Sequence, residues 1–174
     1  MPIAFHDDES VEKLGFAAFF HMEIVNEFAY GALLFLNARG EPQEFVFNRL
    51  VLLNAQLWRA PDREAGAARR LCASLFPTAS LSPQFLMFRL EELCAEFFEG
   101  ESGLRLDIPV AGVSVCGEEE GALETFDGAG EACFVRVEWT SEAPQSPLFD
   151  LLVKRGLIVE PFNRAAAGLR EAYE

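Results

Sequence analysis

The sequence predicts an α+β fold, a single domain over residues 1–174 in which helices pack on one mixed, mostly antiparallel sheet. Three observations lead there. Apolar segments of strand length recur along the chain, two of them joined by a tight polar corner. Segments of helical period separate or follow them rather than alternating regularly with them. With 174 residues, 51% of them hydrophobic, the chain can also bury a full core without disulfide or metal staples. No internal repeat is present.

The elements follow in order. The acidic run Asp7-Asp8-Glu9 with Ser10 suits the cap of a short helix over 11–14. "LGFAAFF" (14–20) is continuously apolar, and a strand is expected over about 15–20, covered on both faces. "GALLFLNARGEPQEF" (31–45) reads as a hairpin, with strands over 29–37 and 44–48 around the corner Asn37-Ala38-Arg39-Gly40. Gly40 can take the positive φ such a corner needs, and Pro42 fits only the start of the returning strand, where no ladder donor is lost.

From 50 to 76 the period changes. Ala67, Ala68, Leu71, Cys72 and Leu75 share one helical face, Pro61 suits a first turn, and Asp62 and Glu64 complement the positive end of the helix dipole. Arg69 and Arg70 lie nearer the other end, and Pro77 is expected to end the helix. "SPQFLMFRLEELCAEFFEG" (82–100) admits one helix or a strand over 85–88 followed by a short helix over 91–98. The strand in "LDIPVAGVSV" (106–115) favours the second, since both would then join one sheet.

Residues 117–132 combine four glycines with six acids and read as a mobile acidic loop. "CFVRVEWTS" (133–141) alternates as a half-exposed strand, with Arg136 and Glu138 towards solvent. Ser146-Pro147 starts a helix, Gly156 breaks it, and a last helix runs from about Pro161 with Phe162, Ala165, Ala166 and Leu169 inward.

Fourteen basic residues oppose twenty-eight acids, a formal charge of −14. Such a chain repels phosphate backbones and anionic membrane surfaces, so neither direct nucleic acid binding nor membrane binding is expected. A basic protein partner is, and self-association is compatible with it. No apolar run approaches the roughly 18 residues of a membrane span and no signal-peptide pattern opens the chain, which suggests a cytoplasmic setting. Cys72, Cys94, Cys116 and Cys133 lack close CxxC spacing and read as buried free thiols rather than ligands.

Catalytic signatures are sparse. His6 and His21 are the only groups with an ordinary pKa near neutrality, and both read as surface or strand-end residues. Nucleophile elbows and phosphate-cradling glycine loops are absent, so no catalytic, cofactor-binding or metal-ligating residue is assigned and no cofactor is implied. Three strands followed by a helix are similar to the opening of the RNase H-like arrangement, in which carboxylates on the strands hold divalent ions. The corresponding central strand, taken as 31–36, carries no carboxylate. The remaining acids read as solvated faces.

Candidate partner contacts are the hairpin residues Arg39, Glu41 and Glu44, the pair Trp58 and Arg59, and the acids Glu118, Glu119 and Glu120. A stiff hairpin presents its turn residues at small entropic cost, and tryptophan is a common interface anchor. Four short motifs, "LGF" (14–16), G-A-L-x5-R-G-x-P-x-E-F (31–45), "PVA" (109–111) and "EPF-x-R" (160–164), resemble those of an uncharacterised family of bacterial proteins of similar length. The resemblance implies a bacterial origin and a shared fold, and no reaction. The expected function is accordingly a non-catalytic, acidic adaptor subunit of a bacterial multi-protein system, docked on a larger basic partner. Two other readings are an inhibitor imitating nucleic acid, which would use Glu118, Glu119 and Glu120, and a metal-dependent hydrolase with carboxylate ligands.

Overall fold

The apolar run at 17–20 becomes a strand because both of its faces are buried, under helices packed on either side of the sheet. A computed structural model describes residues 12–93 and 106–174. In it β1 (Ala17–Val25), β2 (Phe28–Leu36) and β3 (Pro42–Val51) form an antiparallel meander. Helix α1 (Ala60–Thr78) then crosses the sheet to β4 (Phe85–Arg89), which lies parallel to β1. Next come β5 (Val110–Cys116), parallel to β4, then β6 (Leu123–Phe126) and β7 (Ala132–Trp139), and the chain ends in α2 (Pro147–Lys154) and α3 (Glu160–Tyr173). The strand order is β3-β2-β1-β4-β5-β7-β6, one seven-stranded mixed sheet. The α+β expectation holds.

Side-chain alternation divides the core in two. Ala18, Phe20 and Met22 of β1 face α1, where Ala67, Ala68, Leu71, Cys72 and Leu75 meet them. Ala17 and Phe19 face the other way, onto Leu148 and Leu152 of α2 and Phe162 and Ala165 of α3. Phe162 meets Phe19 edge-on, ring centroids 5.4 Å apart. Gly31 of β2 lets α1 settle close, because a Cβ there would lie 2.8 Å from Leu71 Cδ1.

The hairpin forms as expected. Asn37 Oδ1 accepts from the backbone N–H groups of Arg39 and Glu41, each at 3.0 Å, Gly40 takes φ +79°, and Pro42 opens the returning strand. The last helix buries the four expected residues, and Ser146 caps α2 by accepting from Phe149 N at 3.4 Å. Arg136 and Glu138 of β7 are exposed.

Four expectations change. First, β1 does not stop at Phe20 but continues through His21, Met22 and Glu23, because β2 pairs with it residue by residue as far as the turn at Asn26, whose φ of 55° lies in the left-handed region. Second, Pro77 lies inside the last turn of α1, where its missing N–H forfeits one bond, and Ala79 N closes the helix on Leu75 O at 3.1 Å. Third, the segment 117–132 contains strand β6, hydrogen-bonded to β7 from Leu123 to Phe126 and anchored by Thr125 Oγ1 donating to Val153 O at 2.7 Å. Fourth, Cys72 is buried, its thiol pushed up to about 12 by desolvation, but Cys116 and Cys133 are only half-buried. Residues 85–89 form a strand, as favoured. The helix expected over 91–98, together with Cys94, the N-terminal cap and His6, falls largely or wholly outside the described residues.

Gly66 is mid-helix in α1 with open space around it, since a Cβ there would meet nothing within 4 Å. Gly66→Ala should therefore raise stability by roughly 0.5–1 kcal/mol through lost unfolded-state freedom. Urea denaturation of the variant measures it, and an unchanged or lower midpoint would contradict the placement.

Candidate functional site

A histidine at an alternate position of a central strand must either be satisfied inside the sheet's cover or leave the strand. His21 is satisfied: it lies on the α3 face of β1 and is 4% exposed. Its Nδ1 lies 2.8 Å from Glu92 Oε1, and its Nε2 lies 3.0 Å from Glu23 Oε1. Glu23 shares the face because it stands two residues further along β1. Glu92 comes from the turn directly after β4, the parallel neighbour of β1, so the three residues meet at the carboxyl ends of two parallel strands. In open sheets of this kind ligands bind at that edge.

Both ring nitrogens lie within hydrogen-bond distance of a carboxylate oxygen, an arrangement in which a protonated ring donates to both. Burial alone would push the His21 pKa down. The Glu92 carboxylate, by hydrogen bond and by charge, and then Glu23 in the same two ways, outweigh it and raise the pKa above its ordinary value. Glu92 is further fixed by Met22 N, which donates to its Oε2 at 3.2 Å. Arg170 of α3 reaches Glu23 Oε1 at 3.5 Å.

A cavity of about 210 Å³ opens beside Glu23, lined also by Tyr30, Arg170 and Tyr173. Glu23, Tyr30 and Arg49 stand opposite one another across β1, β2 and β3, one row on one face. Tyr173 closes over it, edge-on to Tyr30 at 5.1 Å, and the Arg49 guanidinium lies 5.5 Å from the Tyr173 ring and 5.0 Å from Phe28. The row therefore offers a carboxylate held by an imidazolium, two guanidiniums and two phenol rings.

Would this set hold a divalent ion, as carboxylates of the RNase H-like arrangement do? The donors do not fit one. His21 stands between the two carboxylates and already engages one oxygen of each. Among the described residues no group of three His, Cys, Asp or Glu side chains is arranged to hold a metal.

The residues singled out from the sequence lie elsewhere. Arg39 and Glu41 stand at the β2–β3 corner, where Glu41 accepts from Asn37 Nδ2 at 2.8 Å. Glu44 ties β3 to the segment after α1, accepting from Ser80 N and Leu81 N, each at 2.9 Å. Its carboxyl sits below the ordinary range, through the Ser80 N–H first, with desolvation opposing, and then the Leu81 N–H. Trp58 is 59% exposed before α1, and Arg59 pairs with Asp62 at 2.7 Å. Glu118, Glu119 and Glu120 are exposed, and Glu119 pairs with Arg136. These residues form no common surface with His21.

The site was missed because β2, not β1, was taken as the central strand. The strand order puts β1 further in than β2, between β2 and the middle strand β4, and β1 carries His21 and Glu23. The legible signal was the pair itself, a histidine and an acid two apart at the end of an apolar run. The view of both histidines as surface or strand-end residues is corrected for His21, which lies mid-strand and buried.

No family model matches the chain, and no curated protein sequence does. Among solved structures, the fold is similar to Endonuclease V from Bacillus subtilis, with a TM-score of 0.53 at 12% identity over 93% of this chain and 82% of that one. A weaker likeness, TM-score 0.38 at 8% identity over 80% of this chain and 25% of the other, is to Marinitoga piezophila Argonaute in complex with a guide RNA. The fold is thus one shared with an endonuclease, and this overturns the expectation of a non-catalytic adaptor, which rested on the missing catalytic signatures and the charge of −14.

Proposed function

We propose that the protein is a nucleic-acid-processing enzyme that hydrolyses a phosphodiester at the Glu23 cavity by acid–base chemistry of its own side chains. The observation that carries this reading is the Glu92–His21–Glu23 chain at the carboxyl ends of β1 and β4, opening on a cavity with a guanidinium and two phenols. The likeness to an endonuclease supports it. Glu23 takes the proton of the attacking water as its oxygen bonds to phosphorus, Arg170 draws the phosphoryl oxygens, and the bond from phosphorus to the leaving sugar oxygen breaks, that oxygen taking its proton from solvent. Tyr30 and Tyr173 offer ring faces to a base. His21 and Glu92 do not touch substrate; they position Glu23.

The charge of −14 bears on the substrate. A cavity of about 210 Å³ is below the usual ~300–1,000 Å³ of a ligand pocket, which suits one nucleotide of a single strand rather than a duplex. Long contacts with phosphates are disfavoured, and a basic protein partner that carries the nucleic acid would compensate. No helix among the described residues is long and apolar enough to cross a membrane, and a cytoplasmic setting agrees with that.

The test is cleavage of end-labelled single-stranded RNA and DNA and of their duplexes, with magnesium, with manganese and with EDTA. Cleavage of a single strand that persists in EDTA is expected. With two arginines at the site the dependence of binding on salt should be shallow, a log–log slope of about −1.4 for a single strand. Absence of cleavage of every substrate under every condition would overturn the reading.

A further inference from the structure

The sheet has two edges, β6 with four residues and β3 with ten. Backbone groups along an edge strand alternate between the neighbour inside and the space outside. The phase of β3 is set just past its end, where Leu52 N donates to Glu27 O at 2.6 Å. Counting by twos along the register, Leu50, Asn48, Val46 and Glu44 bond inward to β2, while Phe45, Phe47, Arg49 and Val51 turn their N–H and C=O groups outward.

An edge strand invites pairing unless something blocks it. Towards the end of β3 outward groups are already engaged: Asn48 Oδ1 accepts from Arg49 N at 2.8 Å, and Val51 O accepts from Arg70 Nη1 at 3.3 Å. At its start Pro42 and the register shift opposite Phe35 and Leu36 interrupt the ladder. Between these blocks lies Phe45-Val46-Phe47. Among the described residues no hydrogen bond engages the outward N–H or C=O of Phe45 or Phe47. The three residues carry no charge, and Phe47 is 44% exposed.

We propose that this open stretch pairs with the same stretch of a second copy of the chain, antiparallel, about a two-fold axis at Val46. That register sets Phe45 of each copy opposite Phe47 of the other, and the outward groups of both residues bond across the axis, two pairs with two bonds each. Aromatic side chains then oppose one another on the face that carries α3, where Phe45 already lies on Gly168 and Phe47 on Tyr173. Charge permits the approach, although each chain carries −14: Glu44 comes opposite Asn48 and Arg49 falls beside Gln43, so no like charges meet on the strand. The blocks on either side select the occupant. A long extended peptide would meet engaged or interrupted ladder groups beyond Phe45 and Phe47, whereas a second copy brings the same short gap, and the pairing closes at two chains. The contact does not depend on the reaction proposed at Glu23.

Sedimentation velocity of the full chain, from about 1 to about 500 μM, should show a monomer–dimer equilibrium with a Kd on the order of 10–100 μM, since a few backbone bonds and aromatic contacts only just exceed the cost of association. Raising sodium chloride from about 20 to about 300 mM should tighten it, because screening relieves the repulsion between two acidic chains. Amide hydrogen exchange gives the position: protection of the Phe45 and Phe47 N–H groups should rise several-fold with protein concentration, while that of Arg49 N–H, held by Asn48, stays constant. Phe47→Pro removes an outward donor at an edge position that tolerates proline, and should abolish the dimer. Phe47→Glu changes only an exposed side chain and should weaken it at least about tenfold, whereas Leu57→Glu, at a residue 78% exposed before α1, should leave it unaltered. A monomer up to about 500 μM, growth beyond two chains, looser association at high salt, unmoved protection at Phe45 and Phe47, or wild-type association in both Phe47 variants would each overturn the proposal.

Discussion

Glu23→Gln is expected to lower kcat/KM for single-strand cleavage by about 10²–10⁴-fold, the usual range for loss of a positioned general base, while leaving the thermal midpoint within a few degrees. Glutamine keeps an oxygen to accept from His21 Nε2, now 3.0 Å from Glu23 Oε1, so the strand and its neighbour stay packed. What disappears is the charge that takes the proton. Arg170→Gln should reduce the rate less, because its guanidinium is two-thirds exposed and water shares its work. His21→Gln distinguishes positioning from direct chemistry. If His21 acts through Glu23, this variant should lower kcat with KM little changed, because the carboxylate then loses the partner that holds it in place. A rate in Glu23→Gln equal to that of the unaltered chain would remove Glu23 from the reaction, and an unchanged kcat in His21→Gln would leave His21 a packing residue.

The second large effect concerns stability. Glu92→Ala should cost roughly 3 kcal/mol, the low end for breaking a buried pair because Glu92 keeps some contact with water. It strips an acceptor from His21 Nδ1 and another from Met22 N, and leaves the buried imidazolium with Glu23 alone. The same cluster makes stability depend on pH, with a sign that follows from the raised pKa of His21. The folded state binds the proton more tightly than the unfolded chain, whose histidine titrates near 6.5. The contribution is therefore complete below about pH 6.5 and is lost as pH rises through the higher native pKa. Urea midpoints should fall from pH 6 towards pH 9, and His21→Gln should remove that part of the fall. A wild-type midpoint flat over this interval would mean that the ring is held neutral.

Much of the architecture could be read from residue order because local chemistry and tertiary placement agreed. The β2–β3 corner declares itself through Asn37, Gly40 and Pro42, α1 through its apolar stripe and Pro61, and α3 through Phe162, Ala165, Ala166 and Leu169. Each is specified within a dozen residues by backbone preference and period. Strand β6 was harder, since glycines and acids around residues 123–126 mask a segment that pays its way only by pairing with β7.

The candidate site is a different case. The sequence by itself determined, through the period and order of its apolar segments, that the chain folds as α+β, and through its composition and spacing that it is strongly acidic and lacks the familiar nucleophile and phosphate-loop motifs. Which strand is central depends on the pairing of β1 with β4, a contact between residues nearly seventy positions apart, and no local pattern records it. That pairing brings Glu92 to His21 across 71 positions and turns a strand residue into a buried imidazolium between two carboxylates. Electrostatics at a site depends on distance and burial, and both are properties of the folded chain alone.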